Sequence, residues 1–336
     1  MSSKSFAKQI IPKLSITNLP WPTDWNQVFG TPGANRPLIL EIGFGYGQNL
    51  RYLSQQQPDA HIVGLEISNV CLVKAEGAIA RGETPNVRVV FARAEHALHH
   101  LFTPASLDAV HINFPDPWFK SRHEHRRLMK RETVDILVNR MKPGALLHLA
   151  TDILEYAEMS AEVLADTPGL TNQLDTPWVN ALPGRVQTKY EKKAQRVGRS
   201  CYYFALQRNE QPGPDFPVMK ELDMPHMIIN TPLDFDEIIE QYEPIEQQAG
   251  VTHINFLYAY RGKRSILFEA YVSEPTIDQR LALLFVRDED KADYVLRVST
   301  IGSPRPTQGV HTAVRLLGDW IVGLHPDARV VSSKVR

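Results

Sequence analysis

The sequence has few cysteines, no long apolar run and almost no net charge, and each scarcity argues against a class of protein. Two cysteines, Cys71 and Cys201, cannot form a disulfide framework, and neither lies in a spacing that would hold zinc. No apolar stretch approaches the roughly 20 residues that span a bilayer, and the first residues lack the charged-then-apolar layout of a signal peptide. We therefore expect a cytoplasmic protein without a membrane partner.

The formal net charge of −1 gives no sign of a nucleic-acid partner, but the charges are unevenly distributed. Residues 118–131 contain six lysines and arginines against one acid, and residues 185–199 also contain six against one. Residues 210–246 contain ten acids and one lysine. Charge runs are usually solvated surfaces, but a polyanion would bridge two basic windows that flank one candidate site.

Apolar runs and helical patterns alternate over the first 208 residues. Short apolar runs predict strands at 37–42, 61–67, 86–91, 107–114, 145–151 and 200–207. Periodic patterns between them predict helices at 48–57, 70–81, 126–141 and 153–166. This order predicts an α/β fold with a doubly wound sheet, whose ligands lie at the carboxyl ends of the strands.

The chain after residue 209 has a different pattern. Residues 210–217 have the composition of a linker, which would separate a first domain, 1–209, from a smaller domain, 218–336. The smaller domain has predicted helices at 235–248 and 309–324, and predicted strands at 253–260, 265–273, 281–287, 294–299 and 328–332. These elements predict an α+β domain with a mostly antiparallel sheet, and its role stays open.

The most informative segment follows the fourth predicted strand and reads Asn113-Phe-Pro-Asp-Pro-Trp-Phe-Lys-Ser-Arg-His-Glu-His-Arg-Arg127. Asp116 stands between two prolines, which remove backbone donors and restrict the chain on both sides of the carboxylate. A rigid acid beside the Trp118 ring and a cluster of cations suits an enzyme that binds a base and its phosphates. A strand-ending turn before a solvated helix is the alternative, but the position at the end of a buried strand favours a site.

A glycine-rich turn, Glu41-Ile-Gly-Phe-Gly-Tyr-Gly47, ends the first predicted strand. Its glycines allow the backbone to approach a ligand closely. Glu66, at the tip of the second predicted strand, is placed to accept both hydroxyls of a ribose, although a solvent-facing acid is the alternative. Both NAD and S-adenosylmethionine fit this arrangement. Glu41 favours the second, because a carboxylate repels a pyrophosphate and attracts an ammonium.

Five motifs occur in order along the chain: Glu41-x-Gly-x-Gly-x-Gly47, Glu66, Phe114-Pro-Asp-Pro-Trp-x-Lys-x-Arg-His-x-x-Arg-Arg-Leu128, Ala150-Thr-Asp152 and Thr188-Lys-Tyr-Glu191. Together they resemble the bacterial tRNA (guanine-N7-)-methyltransferase family over about residues 37 to 208. The resemblance implies a Rossmann-like class I methyltransferase that transfers a methyl group from S-adenosyl-L-methionine to N7 of a guanine in the variable loop of tRNA.

The resemblance also implies roles for individual residues. The cofactor contacts would be Glu41, Gly43, Gly45, Gly47, Glu66, Arg93, Ala94 and Asp116, and Asp116 would also be catalytic. The tRNA guanosine would contact Lys120, Asp152, Thr188, Lys189, Tyr190 and Glu191. The two basic windows, rather than the resemblance, predict that the RNA backbone contacts Arg122, Arg126, Arg127, Lys192 and Arg196.

The chain departs from the family pattern at Arg93, at His125, which replaces a usual lysine, and at Lys193-Ala194, where the family commonly has Arg-Gly. Where the family usually has an acid that meets the adenine amino group, this chain has Arg93, which cannot accept that hydrogen bond. The Ala94 N–H remains available to the adenine ring, and Glu95 is near enough in sequence to compensate. The alternatives are therefore a catalytically weak RNA-binding relative and a methyltransferase of another substrate.

The implied chemistry needs little from acids and bases. Guanine N7 carries a lone pair and no proton, so the enzyme contributes mainly positioning and stabilisation of the positive charge that spreads into the purine. Asp116 suits both roles. Asp152 or Glu191 would accept hydrogen bonds from guanine N1–H and the N2 amino group, although Asp152 could instead cap the following helix. Trp118 either stacks on the base or lies partly buried under the loop.

The remaining expectations concern metal and assembly. The histidines lie on different predicted elements without a convergent spacing, and N7 methylation needs no metal, so we expect no metal site. The expected partner is tRNA, and the chain is expected to be a monomer or a homodimer.

Overall fold

The computed structural model describes residues 13–118, 126–287 and 293–336. The chain divides into two compact units, and the division falls between Met219 and Lys220. The strands of the first unit are β1 (Leu14–Ser15), β2 (Leu38–Ile42), β3 (His61–Glu66), β4 (Val87–Phe91), β5 (Leu107–Asn113), β6 (Met141–Thr151), β7 (Leu170–Asn172) and β8 (Tyr202–Arg208). Its helices are α1 (Trp25–Val28), α2 (Gln48–Gln56), α3 (Asn69–Ala80), α4 (Ala94–His100), α5 (Arg131–Arg140), α6 (Leu154–Ala165) and α7 (Lys189–Arg196).

The first unit is built on one eight-stranded sheet with the order β1-β4-β3-β2-β5-β6-β8-β7. Strands β1 to β6 pair in parallel, whereas β8 is antiparallel to both β6 and β7. The predicted doubly wound α/β architecture is confirmed. The central strands are continuous apolar runs because helices cover both faces of such a sheet; every residue of β2 is buried.

The chain order reverses between β2 and β5, which lie side by side in the sheet. From β2 the chain proceeds outward through β3 and β4, and from β5 it proceeds outward in the other direction through β6. Helices that follow strands on the two sides of such a reversal leave a crevice at the carboxyl ends of the strands. Glu41 lies at the end of β2, and Asn113 ends β5, so the two most informative motifs of the sequence meet at this crevice.

Some predicted boundaries in the first unit were wrong. The helix predicted from residue 126 begins at Arg131, after the preceding residues have formed a short irregular segment. Helices α4 and α7 were not predicted at all, because each is too short to show a full apolar period.

The stretch that was predicted as a linker packs along the first unit. The Asn139 side chain donates to the Pro214 carbonyl (2.7 Å), and the Arg140 guanidinium donates to the Phe216 carbonyl (2.7 Å). The backbone N–H of Met219 donates to the His99 carbonyl (3.3 Å). Arg140 is fully buried, and its Nε also donates to the Leu98 carbonyl (2.8 Å), so this segment supplies one of the acceptors that a buried guanidinium needs.

The second unit is a seven-stranded sheet with the order β10-β11-β12-β13-β14-β9-β15, in which every strand pair is antiparallel. Its strands are β9 (His226–Asn230), β10 (Ile245–Ala249), β11 (Thr252–Arg261), β12 (Ser265–Glu274), β13 (Ile277–Arg287), β14 (Tyr294–Val298) and β15 (Arg329–Ser333). Its helices are α8 (Phe235–Glu240) and α9 (Gln308–Gly323). Apolar side chains of α9 pack with those of one sheet face into the core of this unit.

The helix predicted over residues 235–248 was wrong in its second half. Helix α8 ends at Glu240, and Ile245–Ala249 forms the edge strand β10. Pro244 separates the two elements, and a proline has no N–H to continue a helix.

Within the described part of the chain, no helix has both the length and the apolar character needed to cross a membrane.

Candidate functional site

In the glycine turn after β2, every second residue is a glycine with a positive φ. Gly43, Gly45 and Gly47 all lie in the left-handed region, with φ of 68°, 54° and 71°. Residues with a β-carbon rarely adopt this conformation, so the three glycines let the chain make a tight turn into α2. The Gly43 N–H bonds back to the Leu65 carbonyl of β3 (2.9 Å), which holds the turn against the neighbouring strand.

The Glu66 carboxylate at the end of β3 organises the backbone around it. Its Oε2 accepts a hydrogen bond from the Gly45 N–H (3.0 Å), and its Oε1 accepts from the N–H groups of Ile67 (2.8 Å) and Ser68 (3.0 Å). A carboxylate offers about four lone-pair positions. Glu66 therefore anchors the glycine turn and retains acceptor capacity for a ligand hydroxyl.

Glu41 is buried beneath the glycine turn, with 1% of its surface exposed. Its Oε1 accepts a hydrogen bond from the Asn113 side chain (3.3 Å), whereas its Oε2 is buried without a partner among the described residues. Burial raises the pKa of Glu41 to about 8, against the opposing effects of Asn113, Asn49 and the Arg185 charge. A buried acid with an unsatisfied oxygen suits a cationic ligand group.

The Asp116 loop is bracketed by two residues in an unusual conformation. Phe114 has φ of 55° and Trp118 has φ of 43°, which is uncommon for residues with bulky side chains. The Phe114 N–H bonds to the Ala150 carbonyl of β6 (2.7 Å), so the loop leaves the sheet in a defined direction. Such strain costs on the order of 1–3 kcal/mol per residue and is typical of active sites. The Asp116 carboxylate forms no hydrogen bond or ion pair with any described residue.

A pocket of about 880 Å³ lies at the carboxyl ends of the strands. Glu66, Arg93, Asp116 and Tyr190 line it, together with glycines of the turn. Its volume falls within the range of ordinary ligand sites. The structure therefore brings together most of the residues predicted to hold the cofactor, and Glu41 lies just beneath.

Arg93 and Ala94 lie where the adenine contacts were predicted. Arg93 is the N-cap residue of α4 and Ala94 is its first residue, and both line the pocket. Glu95, also in the pocket lining, occupies the first turn of the same helix. The start of α4 thus presents a backbone N–H and a carboxylate close together, so the pocket keeps an acceptor despite the cation at position 93.

The Thr188–Glu191 segment forms the first turn of α7 and lies against the glycine turn. The Lys189 N–H donates to the Gln48 side chain (2.5 Å), and a β-carbon on Gly45 would lie 3.4 Å from the Tyr190 ring. Thr188 caps α7 by accepting from the Glu191 N–H (3.2 Å), and Glu191 accepts from the Thr188 N–H in return (3.4 Å). Thr188 and Glu191, which were predicted to contact the guanosine, are therefore also the capping groups of α7.

Asp152 lies just after β6 but does not cap α6. The N-cap position of that helix is Ile153, which has no capping side-chain bond. The Asp152 carboxylate instead accepts a hydrogen bond from the Arg199 guanidinium (3.1 Å). The capping alternative for Asp152 is therefore wrong. A half-exposed partner of this kind holds the carboxylate in place but contributes little stability.

The two basic windows differ in how much of them the structure describes. Lys120 and Arg122 lie outside the described residues. The Arg126 guanidinium lies over the Trp118 ring (5.1 Å), and Arg127 Nε donates to the Trp118 carbonyl (3.4 Å). The remaining predicted backbone contacts, Lys192 and Arg196, are exposed on α7.

A half-buried charged group that sequence reasoning missed is Arg185. The Arg185 guanidinium donates to the Asn113 side-chain oxygen and lies over the Tyr203 ring (4.9 Å). Beside it, the rings of His111 and His148 are stacked with their centroids 4.9 Å apart. Burial and neighbouring charges lower the pKa of His111 to about 3 and that of His148 to about 4, so both are neutral. The only sequence signal for Arg185 was its place in a basic window.

The residues present fit the expected cofactor. Glu41 Oε2, which has no partner among the described residues, provides a buried acceptor for an ammonium, and Glu66 retains acceptor positions for ribose hydroxyls. Among the described residues, no three histidine, cysteine, aspartate or glutamate side chains are grouped so that they could hold a metal ion.

The chain is similar to known methyltransferases over most of its length. A family model described as "Putative methyltransferase" matches residues 35–204. A protein of Thermus thermophilus named tRNA (guanine-N(7)-)-methyltransferase is 34% identical over 300 residues, which cover 89% of this chain and 92% of that protein. The first unit has only 219 residues, so this alignment must continue well into the second unit.

Shorter relatives match a smaller part of the chain. A protein of Paraburkholderia xenovorans with the same name is 37% identical over 191 residues, which cover 57% of this chain and 72% of that protein. One of Methylobacillus flagellatus, also so named, is 34% identical over 200 residues, which cover 60% of this chain and 83% of that protein.

Proposed function

Since this chain belongs to the tRNA (guanine-N(7)-)-methyltransferase family, we propose that it transfers a methyl group from S-adenosyl-L-methionine to N7 of a guanine in the variable loop of tRNA. The family that the sequence motifs indicated is confirmed. The observation that best supports the proposed reaction is the convergence of Glu41, Glu66 and Asp116 around one pocket beside the first turn of α7.

The cofactor would be held by the glycine turn and the acids around it. Glu66 would accept hydrogen bonds from the ribose hydroxyls while still anchoring the Gly45 N–H. Glu41 would face the ammonium, and Ala94 and Glu95 would meet the adenine at the start of α4. The cofactor supplies an electrophilic methyl group on a sulfonium when bound. The chain's own residues would hold it in the crevice.

The protein's contribution to the chemical step is placement and charge. Guanine N7 has no proton to lose, so a base is not required. Asp116 projects into the pocket from a loop that Phe114 and Trp118 hold in a strained conformation. Its carboxylate would lie near the purine and stabilise the positive charge that develops there. Among the described residues, no side chain forms an ion pair with Asp116.

Guanine is proposed to be selected at the first turn of α7 and at Asp152. The Thr188 hydroxyl accepts its capping bond and therefore still has a proton to donate. Asp152 or Glu191 would accept from guanine N1–H and the N2 amino group, which adenine cannot match. Lys189 and Tyr190 lie at the same turn. Lys120, outside the described residues, is proposed as a further contact on sequence grounds alone.

The proposed path of the RNA backbone can be tested through its salt dependence. Lys192 and Arg196 are exposed on α7, beyond the turn that contacts the pocket. Each of the variants Lys192→Gln and Arg196→Gln is expected to weaken tRNA binding. Each should also reduce the slope of log affinity against log salt by roughly one unit, because one phosphate contact is lost. Binding would be measured at several salt concentrations.

The control for this prediction is a cation at the amino ends of the strands, away from the pocket at their carboxyl ends. Arg36 is exposed and precedes the amino end of β2, so Arg36→Gln is expected to leave the slope unchanged. Slopes equal to the wild type in all three variants would show that the basic windows are only solvated surfaces. Arg122, Arg126 and Arg127 are proposed to extend the same contact.

The proposed activity is tested by methyl transfer from labelled cofactor to unmodified bulk tRNA, followed by mapping of the modified nucleotide. We expect 7-methylguanosine at one variable-loop position. Cofactor binding without transfer to any tRNA would favour a catalytically weak RNA-binding relative. Transfer to free nucleosides but not to tRNA would indicate another substrate.

Three further assignments belong to the same proposal. The methyltransferase domain would comprise residues 1–209, residues 210–217 would be a linker, and residues 218–336 would form a domain whose role stays open. We place the protein in the cytoplasm with its tRNA substrate. It would act as a monomer or a homodimer, without a metal ion or a membrane partner.

A further inference from the structure

Arg185 connects three segments of the site that are far apart in the chain. It lies three residues before the Thr188 cap of α7, in the loop that follows β7. Its guanidinium donates to the side-chain oxygen of Asn113, the last residue of β5. The nitrogen of that amide donates in turn to Glu41 Oε1 at the end of β2 (3.3 Å). One buried chain of contacts thus joins the cofactor turn, the Asp116 loop and the guanosine turn.

The chemistry of the three groups allows only one arrangement. A guanidinium has donors and no acceptor, so it must contact the Asn113 oxygen. The amide nitrogen is then left for Glu41, where a carboxyl oxygen accepts. A rotation of the Asn113 amide group that exchanged its oxygen and nitrogen would therefore break both bonds. Since Asp116 is only three residues further along, the orientation of Asn113 sets the direction in which the loop leaves the sheet.

Arg185 also carries the positive charge that faces Glu41. Its surroundings include Tyr203, Glu191, Cys201 and the neutral histidines 111 and 148. Glu41 is faced by Asn113 and Asn49 and, among charged groups, by Arg185 and Glu66, of which only Arg185 favours its ionised form. Arg185 Nε and Glu41 Oε2 are each buried without a hydrogen-bond partner among the described residues, which leaves a donor and an acceptor for a ligand or water.

We infer that Arg185 is a positioning residue, which holds Asn113, and through it the carboxyl group of Glu41, so that the cofactor ammonium is bound and Asp116 is correctly placed. This inference rests on the proposed function. Arg185 itself does not line the pocket and acts through its two neighbours.

The pH dependence of cofactor binding distinguishes this role from a merely structural one. Burial raises the pKa of Glu41 to about 8, so the free enzyme gains its carboxylate as the pH rises through that value. Affinity for S-adenosylmethionine is therefore expected to increase with pH and then to fall as the α-ammonium of the ligand loses its proton, which an α-amino group does near pH ~8. Removing a nearby opposite charge should raise the pKa of Glu41 by about one unit. The rise in affinity should move to higher pH by the same amount.

The test compares two substitutions by titration with S-adenosylmethionine from pH 6.5 to 10. Arg185→Met removes the charge and is expected to shift the midpoint of the rising limb upward by about one pH unit and to weaken binding about tenfold at pH ~7.5. Arg185→Lys keeps the charge and should retain the wild-type midpoint. Its ammonium cannot reproduce the planar fork, so the turnover number should still fall about tenfold with little change in KM for tRNA.

The outcomes that overturn the inference are equally specific. A wild-type midpoint in Arg185→Met would show that Arg185 only fills space behind the pocket. If that variant does not fold, Arg185→Lys decides by itself, and a shifted midpoint or an unchanged turnover number would contradict the inference. The binding measurements use no tRNA, so they remain valid if the proposed tRNA activity fails its own test.

Discussion

Replacing Asp116 with asparagine is expected to lower the rate of methyl transfer on the order of 10²–10³-fold, which is the usual effect of removing one preorganised charge. The substitution keeps the shape of the side chain and removes the charge that faces the developing purine cation. Asp116 is exposed and lines the pocket, and the substitution breaks no hydrogen bond or ion pair with a described residue. Single-turnover rates with saturating tRNA and cofactor would measure the effect.

Cofactor affinity provides the internal check on the Asp116 prediction. The affinity of Asp116→Asn for S-adenosylmethionine should change much less than the rate, because the charge matters mainly when the purine becomes cationic. Asp59 is an exposed acid just before β3, at the amino ends of the strands and away from the pocket. Asp59→Asn should behave as the wild type. Turnover of Asp116→Asn within a few-fold of wild type would mean that Asp116 is structural.

Replacing Glu41 with glutamine is expected to stabilise the fold and to damage cofactor binding. The carboxyl pKa rises from an ordinary value of 4.5 to about 8 on burial, so ionised Glu41 opposes folding. For such a group the native state keeps its full stability below about pH 4.5 and loses it as the pH rises through about 8. The free energy of unfolding of Glu41→Gln should therefore equal that of the wild type at pH 4. At pH 9 it should exceed the wild type by roughly 3–5 kcal/mol.

The same substitution should weaken binding of S-adenosylmethionine about tenfold or more, because a neutral amide replaces a charge-assisted partner of the ammonium. Chemical denaturation at the two pH values and a binding titration would measure the two effects. Glu158 is an exposed acid on α6, so Glu158→Gln should change neither quantity. Equal stability of Glu41→Gln and wild type at pH 9 would contradict the raised pKa.

The order of strands and the place of the site could be predicted from the sequence because both depend on local signals. The glycine turn, Glu66 and the Pro115-Asp116-Pro117 loop each follow an apolar run, and parallel strands bring their carboxyl ends to one edge. Arg185 and Asn113 could not be paired in this way. Their contact spans 72 positions and depends on how the loop after β7 folds back over the sheet.

The sequence did contain signals against two of the wrong predictions, the missed helix α7 and the overlong helix at 235–248. Helix α7 is too short to show apolar periodicity, but Thr188 and Glu191 have the spacing of a capping box, which marks a helix start. Pro244 lies inside the helix predicted over 235–248 and argues against its continuation. The conformations of Phe114 and Trp118 had no such signal, because left-handed backbone in bulky residues is imposed by the surrounding fold.

The capping box at the start of α7 links recognition to local unfolding. Thr188 and Glu191 hold each other's backbone N–H groups, and the same two side chains are proposed to contact the target guanosine. A nucleoside that displaced those bonds would release the first helical turn. The cost of unfolding this turn would then offset part of the binding free energy. Amide hydrogen exchange at Glu191 would then become faster on binding of tRNA, whereas most protein amides near a ligand exchange more slowly.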